Sequence, residues 1–149
     1  MSEPVTVPLS DLYELDETAW LEQMSALVAR RRFKNIDYKN LSEYLSDMAR
    51  RDKREVWSRL VTLMKHLLKW QHQPKKRTNS WRNTIDEQRD ELAFDVKSGS
   101  LRRHAEEVMA EAYAKAVERA AGETGLAKAK FPAELPWTLD EILEQGLDS

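Results

Sequence analysis

The chain has 149 residues, 41% of them hydrophobic and 34% charged, with a net charge of -2 and no cysteine. That length suits one hydrophobic core and is short for two domains, while the composition is too apolar for disorder and too charged for a membrane protein. The absence of cysteine excludes a disulfide framework, a thiol nucleophile and Cys-based zinc or iron–sulfur sites.

Residues 1–9 read as a flexible arm, and residues 10–149 as a single helical domain. The N-terminal MSEPVTVPLSDLYELDE has neither a basic start nor an apolar signal stretch, and no run approaches the roughly 20 apolar residues that span a bilayer. A cytoplasmic protein with no membrane contact is therefore expected. The spacing predicts a first helix from an N-cap at Asp16 to about Arg32, with Trp20, Met24, Leu27 and Val28 on one face. Leu41, Tyr44, Leu45 and Met48 repeat that rhythm in a second helix. The polar ARRDKRE, from Ala49 to Glu55, is either a joint or more helix, since nothing in it breaks one.

The clearest pattern lies between Asp52 and Gln71. At 100° per residue, Val56, Leu60, Leu63, Leu67 and Trp70 form one stripe, and Trp57, Val61, Met64 and Leu68 form a second beside it. A helix apolar over that much of its circumference must be packed on two sides, which makes it the expected centre of a bundle. Pro74 stops it. Asn79 or Ser80 then caps a helix to about Val96, with Trp81, Ile85, Gln88 and Leu92 along one side. Trp57, Trp70, Trp81 and Ile85 are accordingly expected in the core. After the break at Ser98-Gly99-Ser100, an alanine-rich helix runs from about Leu101 to Ala121, with Gly122 and Gly125 as candidate stops. Thr138 caps a last short helix that buries Leu139, Ile142 and Leu143. The class is all-α: one compact bundle of about five main helices plus a short C-terminal helix.

Charge is distributed unevenly along this frame. Residues 1–49 carry five basic and nine acidic side chains, residues 50–89 twelve and four, and residues 90–149 seven and thirteen. A basic middle between acidic ends fits an anionic partner, and it equally fits ends that fold back to neutralise the middle.

Little in the sequence points to catalysis. His66, His72 and His104 are the only histidines, and none has a histidine or acidic neighbour at a recognised ligand spacing, so neither a metal nor another cofactor is expected. Phosphate-binding glycine loops and the Gly-x-Ser-x-Gly nucleophile turn are absent. One pair stands out. Arg59 and His66 are seven residues apart, hence on the same edge of a helix and about 10 Å apart along its axis. Arginine stabilises a pentacovalent phosphate and histidine moves a proton, the two needs of metal-independent RNA cleavage. The spacing resembles the Arg-x(4 to 6)-His motif of helical ribonucleases among prokaryotic toxins and defence proteins. The bland account is that both border the apolar arc, with the Arg59 stem laid on hydrophobic surface.

Lys69, Lys75, Lys76, Arg77, Arg82 and Arg89 form the second candidate set, a nucleic-acid surface with Trp70 or Trp81 as a stacking platform. Against it, both tryptophans fall on apolar stripes, Arg82 and Arg89 are placed to pair with acidic helices, and the three loop cations have the look of a solvated run.

The segments HLLKWQHQP, Arg77 and SWRNTIDEQR resemble the signature of the bacterial family called domain of unknown function 29. So do Trp20 and LVARRRFKNIDYKNLSEYL upstream, and SLRRH, AYAKAVERAAGETGL and FPAELPWTLDEIL downstream. Around Met48 and Ala49 the chain departs from the family's acidic helix followed by glycine. The resemblance implies a compact all-helical bacterial protein and assigns no activity. The expectation is a small interaction or regulatory module without catalysis, with a protein partner or self-association. The alternative is an RNA-binding or RNA-cleaving protein using the central basic block.

Overall fold

The computed structural model describes residues 7–148; of the expected arm, residues 1–6 lie outside them, as does Ser149. Six α-helices follow in order: α1 (Leu9–Leu15), α2 (Glu17–Ala29), α3 (Tyr38–His72), α4 (Asn79–Asp95), α5 (Gly99–Thr124) and α6 (Leu139–Leu143). Short 3₁₀ turns lie between several of them, and the described residues contain no strand. The fold is all-α. The chain divides into two compact units with the boundary between Arg50 and Arg51, inside α3.

Side chains at the helix starts explain where the helices begin. Asp16 accepts from the Ala19 N–H at 3.1 Å, Thr78 from that of Trp81 at 3.1 Å, and Ser98 from that of Leu101 at 3.4 Å. Thr138 and Glu141 close a reciprocal capping box on α6. Each cap satisfies an amide that the first helical turn leaves without a partner. The predicted second and third helices are one helix of 35 residues, because ARRDKRE continues it. Gly122 lies inside α5, and Gly125, at φ +76°, is its left-handed stop. α2 ends in the same way without glycine. Arg31 stands at φ +56°, its N–H donating to the Val28 carbonyl at 3.0 Å and that of Arg32 to Leu27 at 2.9 Å.

The first unit holds α1, α2 and the start of α3 around Trp20. That indole meets the Tyr13 ring edge-on at 4.8 Å and the tilted Tyr44 ring at 5.8 Å. Asp37 fixes it by accepting from the indole N–H at 3.1 Å. Only Trp20 and Met24 are fully buried hydrophobics in this unit among the described residues.

The second unit contains a continuous core. Val56, Leu60, Val61, Leu63, Met64, Leu67 and Leu68 of α3 are buried against Ile85 and Leu92 of α4 and against Ala105, Met109, Ala112 and Ala116 of α5. Small side chains on α5 allow close approach. The extended segment before α6 returns along α5: the Tyr113 hydroxyl donates to the Pro132 carbonyl at 2.6 Å, and its ring meets Trp137 edge-on at 5.9 Å. Ile85 is fully buried and Trp70 nearly so, whereas Trp57 and Trp81 are half-buried at the margin of this core.

Candidate functional site

The second half of α3 and its neighbours carry the charge that makes the middle of the sequence basic. Arg59 projects toward α4 and lies among three carboxylates. It bonds Asp95 closely, and stands 3.5 Å from Glu91 and 3.8 Å from Glu55 on its own helix. Asp95 is itself largely buried, so this guanidinium holds the α3–α4 pair together in an environment where an unpaired carboxylate is costly. Two turns on, His66 directs Nδ1 to the Thr62 carbonyl at 2.8 Å, so Nδ1 carries the hydrogen and Nε2 is the free base. Burial pushes the His66 pKa below its ordinary value, and the charges of Lys65 and Lys69 act in the same direction. Arg59 and His66 share an edge of α3 but answer to different neighbours: Arg59 to carboxylates of α4, and His66 to the Lys65, Lys69 and Glu123 group.

That group is a second internal neutralisation. Lys65 and Lys69 flank Glu123 of α5 at 3.1 and 3.5 Å. Burial alone would raise the Glu123 pKa, and the hydrogen bonds and charges of the two lysines outweigh it and hold the carboxyl below its ordinary value. Lys69 also lies over the Trp81 ring, 4.5 Å from its centroid.

Around the corner at Pro74, the tryptophan faces are covered by cations. Arg77 and Arg82 both stack on Trp70, at 4.6 and 4.4 Å, and the Arg77 Nε–H donates to the Trp70 carbonyl at 2.9 Å. Such contacts contribute about 0.5–1 kcal/mol each at exposed sites, and they occupy the faces a nucleic-acid base would need. Arg89 is only 5% exposed. Its Nε–H donates to the Ile142 carbonyl at 3.1 Å and so ties α4 to the last turn of α6. Lys75 and Lys76 are exposed on the 3₁₀ turn. The six candidate cations therefore do not share one surface.

A different polar groove lies on the start of this unit's α3. It has a volume of about 420 Å³ and is lined by Arg51, Arg54, Glu55, Ser58, Arg59 and Thr62 of α3 and by Gln88 of α4. Positions 51, 54, 58 and 62 follow a helical spacing that keeps them on one face. That spacing is legible in the sequence, but their mixture of cations and hydroxyls resembles any solvated helix face. The Gln88 Oε1 atom is buried and accepts no hydrogen bond, a condition that is rare in folded proteins. Among the described residues no cluster of three or more His, Asp or Glu side chains could hold a metal ion, and no helix is long and apolar enough to cross a membrane.

A family model described as "Domain of unknown function DUF29" matches residues 12–147, nearly the whole chain. No curated protein and no solved structure matches the chain.

Proposed function

We propose, for a chain that belongs to the DUF29 family, a cytoplasmic interaction role without catalysis, in which the N-terminal unit docks onto a second copy of the same chain. One observation carries this reading. Six of the seven exposed large hydrophobics among the described residues fall between Val7 and Leu45, and they include Leu15 at 73%, Phe33 at 53%, and Tyr38 and Leu45 at 58% each. On α3 the apolar arc runs through Tyr44, Met48, Leu41, Leu45 and Tyr38 over about 120°. Its Tyr44 edge meets Trp20 and its Tyr38–Leu45 edge faces solvent. An apolar arc only half covered is suited to a further helix.

Charge favours a copy of this chain as the occupant. All five basic residues of positions 1–49 lie between Arg30 and Lys39, around Phe33 and Tyr38, while Asp11, Glu14, Asp16 and Glu17 surround Leu15. The basic apolar corner of one copy thus complements the acidic apolar end of another. Arg31 adds support. It keeps a cation at a left-handed position where glycine would be less strained. RNA binding or cleavage has less support, because most cations of the central block are engaged with carboxylates or tryptophan faces.

Sedimentation velocity tests the proposal. Wild-type protein is expected to dimerise with rising concentration, and the F33E/L45E variant to stay monomeric with unchanged helicity and melting temperature. A wild-type chain that remains monomeric up to about 1 mM would exclude an affinity of any use for assembly.

A further inference from the structure

We propose that the groove between α3 and α4 binds a small phosphate ester bearing hydroxyl groups, of the size of a sugar phosphate. Arg51 and Arg54 stand one turn apart at one end of the groove, both exposed and neither in an ion pair with a described residue. Arg50 and Arg59 differ in this respect: Arg50 pairs with Asp47, and Arg59 with Glu55, Glu91 and Asp95. Two unpaired guanidiniums at this spacing suit the several oxygens and double charge of a phosphate monoester better than a carboxylate, which one guanidinium fork already saturates.

The rest of the groove favours hydroxyl groups over a bare ion. Ser58 and Thr62 lie about 6 and 12 Å further along the helix axis than Arg54. Both bring a hydroxyl to the lining, and Gln88, which lines the groove from α4, has a buried Oε1 that lacks a donor among the described residues. That oxygen is shielded from solvent, so the Gln88 amide must turn toward the groove before a ligand hydroxyl supplies the donor, and relief of the unpaired oxygen then contributes to affinity. Glu55 also lines the groove, one turn from Arg51, and its contact with Arg59 at 3.8 Å draws part of its charge away from an anion bound there.

The layout also argues against a polymer. Along α3 beyond Arg54 the next exposed cations, Lys75 and Lys76, are a helix length of about 30 Å away. Lys65 and Lys69 in between are held by Glu123, and Lys97 after α4 lies among the acidic Asp52, Glu55 and Asp95. A nucleic-acid strand would therefore find no continuous basic track, whereas a groove of about 420 Å³ holds one sugar phosphate.

Titration calorimetry of the full chain with ribose 5-phosphate, inorganic phosphate and ribose separates the contributions. Ribose 5-phosphate should bind saturably and more tightly than inorganic phosphate, and ribose not detectably. R51A/R54A should weaken the sugar phosphate by about tenfold or more, with no change in melting, since both side chains are exposed. Gln88→Ala should remove the preference for the ester over the ion. Failure of ribose 5-phosphate to saturate at about 10 mM, or binding indifferent to R51A/R54A, would overturn the assignment. So would a short single-stranded RNA that binds more tightly than the ester and depends on the same two arginines. Self-association should be unchanged in R51A/R54A, so this site and the docking surface fail or stand separately.

Discussion

The indole N–H of Trp20 donates to Oδ2 of Asp37, 17 residues away, at 3.1 Å, and the same carboxylate receives the Asn40 side chain at 2.7 Å and the Asn40 N–H at 3.4 Å. One aspartate thus starts α3 and seats the only aromatic fully buried among the first unit's described residues.

Asp37→Ala is therefore expected to destabilise the first unit by about 2 kcal/mol, combining a lost N-cap with an indole donor left unpaired. Burial alone would raise the Asp37 pKa, but the hydrogen bonds from Asn40 and Trp20 prevail and hold it below its ordinary 3.8. A lowered carboxyl pKa means that the unfolded chain binds the proton first as pH falls. The stabilisation is whole above that ordinary value and is lost as pH drops through the native one. Trp fluorescence during urea unfolding, compared at pH 7 and about pH 3, checks both statements.

The two left-handed helix stops give opposite signs. Arg31→Gly should stabilise by about 0.5–1 kcal/mol, because glycine takes φ +56° without the Cβ strain. Gly125→Ala should destabilise by about 1 kcal/mol at φ +76°, although nothing crowds the new Cβ. Gly122→Ala, in the interior of α5 and equally uncrowded, should stabilise by about 0.5–1 kcal/mol. Thermal melts of the three variants are sufficient.

Arg59→Ala leaves the largely buried Asp95 without its closest cation. A loss of about 1–3 kcal/mol in urea unfolding is expected, with partial recovery in the double variant that also carries Asp95→Asn. If Arg59 served cleavage instead, RNA hydrolysis would fall in Arg59→Ala and His66→Ala; we expect both to match wild type.

His66 supplies a second pH effect. Its pKa is lowered chiefly by burial, so the unfolded chain takes up a proton at a higher pH than the native one does. Stability is complete above the ordinary histidine value of 6.5 and declines as pH falls below it. The urea midpoint should drop between pH 7 and about pH 5, and His66→Gln should flatten that slope.

Much of the second unit is legible in the chain because its apolar stripes are long and Thr138 marks the start of its last helix. Even there the cap of α4 fell one residue before Asn79, since Thr78 and Asn79 are both good caps and only geometry decides between them. The seven residues of α1 were not predicted: they follow Pro8 without a side-chain cap and are too short to show a period. The sequence leaves the continuity of α3 open because ARRDKRE has no breaker and no apolar residue larger than alanine to mark a face. Arg89 belongs to a third kind. Its charge suggests a partner on an acidic helix, and only the return of α6, more than fifty residues later, brings the Ile142 carbonyl that makes its burial tolerable. The groove at Arg51 and Arg54 was hidden for a similar reason, since the partner that distinguishes it, Gln88, comes from another helix.

All seven residues from Ala49 to Glu55 are exposed, although they sit in the middle of a 35-residue helix. Nearly two turns of α3 therefore stand on backbone hydrogen bonds and on the good helix propensity of alanine, arginine, lysine and glutamate, with no core behind them. An opening that begins in the lightly packed first unit can end there, where freed amides and carbonyls meet water directly and cost little. The stretch would act as a fuse in the longest helix, exchanging its amide hydrogens sooner than the Val56–Trp70 segment beyond it and leaving the second unit's core intact when the first unit lets go.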